Sequence, residues 1–140
     1  CNLFTFHIES DMPEGGAQTI ITAVKKTGMK VGISIKPGTP VDAVFPFLEN
    51  IDLALIMTVE PGFSGQKFMA DMMPKVKTLR ERCPTLNIEV DGGLSPSTVG
   101  LAAKAGANVV VSASAIFGSN DRKGTIKALR DSILKHGHGN

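Results

Sequence analysis

The sequence predicts an α/β protein built on a parallel sheet, and three observations carry that prediction. Short aliphatic runs alternate with amphipathic stretches along all 140 residues. The aliphatic runs are five or six residues long, which suits strands covered on both faces. Glycines and other small residues gather in the loops after the last three of these runs, at the strand ends where α/β proteins place their sites.

The elements follow in order. Leu3 to Ile8 reads as the first strand. Gly16 to Thr27 reads as a helix with Ile20, Ile21 and Val24 on one face, stopped by Gly28. Lys30 to Ile35 is the second strand, and Val41 to Leu48 a shorter helix broken near Pro46. Leu53 to Met57 is the third strand. The next helix is expected over Lys67 to Arg82, with Met72, Met73, Val76 and Leu79 inward, ending before Pro84. Asn87 to Asp91 is the fourth strand. Ser95 is expected to cap a helix that starts at Pro96 and runs to Ala105, with Gly106 behind it. Asn108 to Ser112 is the fifth strand. Asp121 to Leu134 is the last helix, with Ile126, Leu129 and Ile133 expected on its inner face, and a frayed tail follows from His136 to Asn140.

This alternation admits an open doubly wound sheet or a (β/α)8 barrel. Length favours the open sheet, because a barrel takes about 250 residues. The loops favour the barrel. The first strand-to-helix turn, Glu9 to Glu14, has no glycine fingerprint, while the later ones do. Because Cys1 stands almost inside the first strand, further chain is expected ahead of it.

Composition narrows the class. A net charge of +2, dispersed along the chain, does not suggest a nucleic-acid binder. No apolar run approaches the roughly 20 residues of a membrane span. Two cysteines, Cys1 and Cys83, make no disulfide framework and suit a reducing, cytoplasmic setting.

Three loops carry the chemistry. Gly62 and Gly65 bracket a turn after the third strand, Gly92 and Gly93 follow the fourth, and Ala113 and Ser114 open a short helical turn after the fifth. Small residues let backbone amides approach an anion, so three such loops from neighbouring strands make a phosphate cradle; taken singly, each reads as an ordinary turn. Alternation places Asn87, Glu89 and Asp91 on one face of the fourth strand. Asp91 then either binds a metal or moves a proton beside the phosphate, or caps the turn after it.

The segments Met57 to Phe63, Ile88 to Gly93 and Ser112 to Ile116, together with Phe4 to Glu9 and Lys30 to Thr39, resemble ribulose-5-phosphate 3-epimerases. The resemblance runs from Leu3 to about Leu134 and implies a (β/α)8 barrel of the ribulose-phosphate-binding type, here incomplete. The five strands correspond to the family's strands four to eight, and residues 1–140 to the C-terminal portion of one barrel domain. It implies interconversion of ribulose 5-phosphate and xylulose 5-phosphate through an enediolate, with one divalent metal ion: iron(II), zinc, manganese or cobalt. Asp91 matches one of two aspartates that bind the metal and transfer protons. Gly62, Phe63, Ser64, Gly65, Gly92, Gly93, Ala113 and Ser114 match the phosphate side, and Met57 a methionine lining the pocket. The family's serine, second aspartate and two histidines, from its first three strands, have no counterpart here.

His7 is expected to be a strand-end histidine with a satisfied hydrogen bond; Glu9 and Glu60 are expected to cap or pair locally; His136 and His138 lie in the tail. Two positions depart from the family. Ala113 stands where glycine is usual, at a cost of about 1 kcal/mol or more if φ must be positive there. Ser64 also stands where glycine is common. The alternatives are an epimerase for a related ketose phosphate, such as allulose 6-phosphate, and a non-catalytic phosphate-binding remnant. A homo-oligomer is expected, since five βα units leave two open edges.

Overall fold

The computed structural model describes residues 1–63 and 65–136. Five strands, β1 (Leu3–His7), β2 (Lys30–Ile35), β3 (Leu53–Met57), β4 (Asn87–Asp91) and β5 (Val109–Val111), form one sheet in chain order. Every pairing is parallel, and each crossover is filled by helix or turn. This is the consecutive βα winding of a barrel wall, without the reversal in strand order of a doubly wound sheet. Strands β1 and β5 each pair on one side only, so the wall is open.

Helices α1 (Gly16–Lys26), α2 (Met73–Arg82) and α3 (Val99–Ala105) pack on one face of the sheet. There Val31, Ile33, Ile35, Ala54, Ile56, Ile88 and Val90 are buried against Ile21, Val24, Val76, Leu79 and Ala102. Helices α4 (Ser114–Phe117) and α5 (Arg122–Lys135) complete the chain, and Leu129 and Ile133 of α5 join Val99 and Ala103 of α3. The opposite sheet face carries His7, Ser34, Leu55, Glu89 and Val109 in one row and Met57, Asp91 and Val111 in the next. That is the face a closed barrel turns inward. Among the described residues no helix is long and apolar enough to cross a membrane.

Several elements depart from the sequence pattern for identifiable reasons. Val41–Phe47 is a 3-10 segment, because Pro46 cannot donate into an α-helix. The helix expected from Lys67 begins at Met73, after a single 3-10 turn at Ala70–Met72. Two causes act together. Pro74 fits only the first helical turn, and the Met69 N–H is already taken by the Thr58 carbonyl at 2.8 Å. Helix α3 begins at Val99 rather than Pro96. Ser95 is therefore not its cap: Thr98 takes that position without a side-chain cap bond, and Ser95 only accepts at its backbone carbonyl from the Val99 N–H at 2.9 Å in the turn ahead of the helix. Asp121 caps α5, its carboxylate accepting from the Gly124 N–H at 2.9 Å. Ile126 does not face inward; it is 40% exposed. The tail beyond His136 lies outside the described residues.

The N-terminal strand ends are tied by a polar chain. Asp52 accepts from the Val31 N–H, and the Asn108 side-chain oxygen accepts from the Ile88 N–H and from Arg80. Arg80 also donates to the carbonyls of Gly106 and Pro84. Burial holds the Arg80 guanidinium below its usual pKa, and the groups around it are neutral acceptors. This end of the sheet is braced, and the C-terminal end is left for the site.

Candidate active site

The loops after β3, β4 and β5 enclose a cleft of about 200 Å³ at the C-terminal end of the sheet. Met57, Gly62, Phe63, Gly65, Asp91, Gly92, Gly93, Ala113 and Ser114 all line it. The remaining expected site residue, Ser64, lies outside the described residues. Val59, Pro61, Gln66, Leu94, Val111 and Ser112 complete the wall.

Two adjacent glycines shape the centre. Gly92 has φ +120° and Gly93 φ +68°, conformations that side-chain-bearing residues rarely adopt. Space forbids a side chain as firmly as the dihedral does. A Cβ on Gly93 would stand 2.5 Å from the Phe68 nitrogen, and one on Gly92 would run into the Val59 side chain. The loop after β3 therefore folds back onto the loop after β4. Gln66 closes the first of these loops on itself, its side-chain amide donating to the carbonyls of Glu60 at 2.6 Å and Phe63 at 3.1 Å. The N–H groups of Gly93, Ala113 and Ser114 donate to no described residue, which leaves them for a ligand in the cleft. Ala113 has φ −97°, so the positive φ that would have made alanine costly there is not adopted.

Asp91 pairs with Met57 across β3 and β4 and sits half-buried in the cleft wall. Burial raises its carboxyl above the ordinary aspartate range. Glu89, two residues earlier on the same strand face, is also raised, first by burial and then by the Asp91 charge. Each folded-state pKa lies above its unfolded value, so stability falls as pH rises from the unfolded value through the folded one. Glu89→Gln removes one such penalty. Its melting temperature should exceed that of the parent chain at neutral pH, and the two should converge below about pH 4, where both states hold the proton. Thermal melts across pH 3–8 test this; a constant difference between the chains would remove the charge as its cause.

His7 and Glu9 stand at the β1 end. Glu9 caps locally as expected, accepting from the Lys36 N–H at 2.8 Å and from the Thr39 hydroxyl. Burial pushes its carboxyl up, but these bonds outweigh it and hold the group below its usual range. His7 departs from expectation. Its Nδ1 lies 3.4 Å from Glu9 but has no hydrogen-bond partner among the described residues. The sequence reading passed over Thr58, which is fully buried and hydrogen-bonded at both ends, and over Gln66. Thr58 stands next to the end of β3, and a polar residue at that place was the available signal for it; Gln66 lies further along the same loop and carried none.

Asp91 supplies one oxygen donor to a metal. Among the described residues no group of three or more His, Cys, Asp or Glu side chains surrounds a common point. This set does not fit a complete metal centre, and the chemistry available here is that of one carboxylate beside a set of backbone donors.

The chain therefore combines a barrel-type parallel sheet with a small-residue cleft and one raised carboxylate at the C-terminal end of the sheet. The chain belongs to the ribulose-phosphate 3 epimerase family, whose model matches residues 1–117. It is 53% identical over 133 residues to the cytoplasmic isoform of ribulose-phosphate 3-epimerase from Oryza sativa subsp. japonica, covering 93% of this chain and 58% of that protein. It is 48% identical to ribulose-phosphate 3-epimerase from Schizosaccharomyces pombe, covering 96% of this chain and 58% of that one. The chain thus spans little more than half the length of these relatives. Among solved structures, 3-hexulose-6-phosphate synthase from Salmonella typhimurium superposes with a TM-score of 0.71 at 25% identity, over 96% of this chain and 63% of that one. Thiamine phosphate pyrophosphorylase from Pyrococcus furiosus, at 16% identity and a TM-score of 0.66, shares the fold alone.

Proposed function

We propose that this chain carries the phosphate-binding side and one proton-transferring carboxylate of a ribulose-5-phosphate 3-epimerase site, as the C-terminal portion of a single barrel domain. The observation that carries the reading is the opening of Asp91 and three amide-bearing loops into one cleft. The substrate phosphate sits against the backbone N–H groups near Gly65, Gly93 and Ser114, where no side chain stands between dianion and peptide. That anchor holds the sugar so that C3 faces Asp91, with Met57 as apolar packing beside it.

The C2 ketone acidifies the C3 proton, and the Asp91 carboxylate takes that proton or returns it. A carboxyl raised by burial is a stronger base than an exposed one, which suits this step. Inversion needs a second acid on the opposite face, and the family's second aspartate has no counterpart in this sequence. A divalent metal, iron(II), zinc, manganese or cobalt, would stabilise enediolate charge when bound. Asp91 is the side chain lining the cleft that would hold it, and among the described residues no group of three or more such donors completes a site. A cytoplasmic setting and a homo-oligomer belong to the same proposal, as does the related substrate allulose 6-phosphate.

The lack of a counterpart to the family's second aspartate favours, for this chain taken by itself, the alternative of a non-catalytic phosphate binder. Crystals grown with sulfate or phosphate test what both readings share. An anion is expected within hydrogen-bond reach of the amides near Gly65, Gly93 and Ser114; an empty cleft with those amides pointing apart would sink both.

A further inference from the structure

We propose that Thr58 is the positioning residue of this cleft: its hydroxyl clamps the Gly92 carbonyl and thereby aims the Gly93 N–H at the bound anion. The inference rests on the phosphate-binding reading above and adds to it a residue that touches neither substrate nor metal. Thr58 directly follows β3 and is completely buried. All three of its polar groups are engaged, each with a different segment. Its N–H donates to the Asp91 carbonyl at 2.7 Å, extending the ladder between β3 and β4 by one bond. Its Oγ1 donates to the Gly92 carbonyl at 2.6 Å. Its own carbonyl accepts from the Met69 N–H at 2.8 Å, which anchors the returning arm of the loop after β3.

The Gly92 carbonyl and the Gly93 N–H belong to one trans, planar peptide, so they point in opposite directions. Fixing the carbonyl toward Thr58 fixes the N–H away from it. The Gly93 N–H donates to no described residue, and Gly93 lines the cleft. Something must hold that peptide. Two successive glycines at φ +120° and +68° have the widest choice of alternative conformations of any residue pair, so the dihedrals alone do not keep the donor in place. The nearby contacts limit translation: Val59 packs on Gly92 and the Phe68 backbone on Gly93. A hydrogen bond sets the rotation of the peptide plane, and Thr58 is the side chain that makes it. Threonine suits the task because a β-branched side chain has few χ1 choices, so the hydroxyl arrives already oriented.

Thr58→Val keeps shape and volume but removes the donor, leaving a buried carbonyl unpaired and free to turn. Thr58→Ser keeps the donor. The test is a set of 1H–15N spectra of the 140-residue chain and both variants, titrated with inorganic phosphate, with melting temperatures measured alongside. In the parent chain phosphate should move the Gly93 amide resonance. Thr58→Val should bind phosphate about tenfold or more weakly and should shift the Gly93 amide before any phosphate is added. Thr58→Ser should stay within about threefold of the parent, the separation expected if the hydroxyl and not the packing matters.

A folded Thr58→Val chain that binds as tightly as the parent overturns the proposal and leaves the phosphate site standing. So does a serine variant as weak as the valine one. Resonance changes spread evenly over the sheet would make Thr58 a packing residue and also overturn it. If the parent itself ignores phosphate, the site reading falls; the ligand-free Gly93 amide, displaced in valine and restored in serine, still decides whether Thr58 aims it. Should Thr58→Val not fold, Thr58→Ala provides the same comparison.

Discussion

Asp91→Asn is expected to lower epimerase turnover by about a thousandfold or more in a protein that joins this sequence to a complete barrel. The amide is nearly the same size as the carboxylate and sits in the same half-buried wall beside Met57. It accepts no proton from carbon at any useful rate, so the step that breaks the C3–H bond loses its base. Three companion measurements separate this from general damage. Inorganic phosphate affinity should stay within about twofold, since the anion is held by backbone donors of other residues and not by the carboxylate. Folding should not suffer. Burial raises the Asp91 carboxyl, so its charged form is a penalty at neutral pH and asparagine relieves it. The variant should therefore melt no lower than the parent at pH 7. The loss should fall on kcat rather than on KM, because the missing interaction acts in the transition state. Turnover near that of the parent would remove Asp91 from the mechanism.

The sheet was legible in the sequence because its strands are short and strongly aliphatic. The expected bounds of β2, β3 and β4 match the structure residue for residue. β5 is shorter than its apolar run, since Asn108 gives its side chain to the Ile88 N–H and Ser112 gives its hydroxyl to the Leu94 carbonyl. Helix starts were less legible. Lys67 to Met69 has helical composition, but the Met69 N–H is claimed by Thr58, a residue nine positions or more away from that helix's expected start. Such a tertiary bond leaves no periodic trace. Ile126 looked inward on a helical wheel, yet α5 turns Leu129 and Ile133 to the core instead.

The cleft was legible where its chemistry needs a residue type. Glycines at Gly92 and Gly93 and the alternation that brings Asp91 to the inner face are both visible in a string of letters. Thr58 was not, because a threonine after a strand has many ordinary uses and only the 2.6 Å bond to Gly92 distinguishes this one. At Ala113 a cost was expected only if φ had to be positive; the local turn into α4 takes φ −97°, so that condition is not met.

Residues 1–140 by themselves are expected to show no measurable epimerisation of ribulose 5-phosphate with iron(II), zinc, manganese or cobalt, and to self-associate in solution. Inverting a carbon requires a proton to leave one face and another to arrive on the opposite face. One carboxylate returns its proton to the face it came from, so Asp91 alone regenerates the starting sugar. Glu89 shares the strand face of Asp91, one row deeper in the sheet, and the two other carboxylates at this end, Glu9 and Glu60, do not line the cleft. Glu9 is occupied by the Lys36 N–H and the Thr39 hydroxyl, and those bonds hold it below the range of a proton donor at neutral pH. Glu60 is exposed, and the bond that ties it to the loop is made by its backbone carbonyl to Gln66. A metal adds little to this chain alone, because Asp91 is a single ligand and no cluster of three donors exists among the described residues. Self-association follows from the same openness. β1 and β5 present unpaired edges, and Phe4 and Val111 on those strands are 44% and 37% exposed. A coupled assay for xylulose 5-phosphate and analytical ultracentrifugation check the two halves of the expectation. A monomer that turns over substrate would show that Glu9 or Glu60 moves out of its present bonds to serve as the second acid.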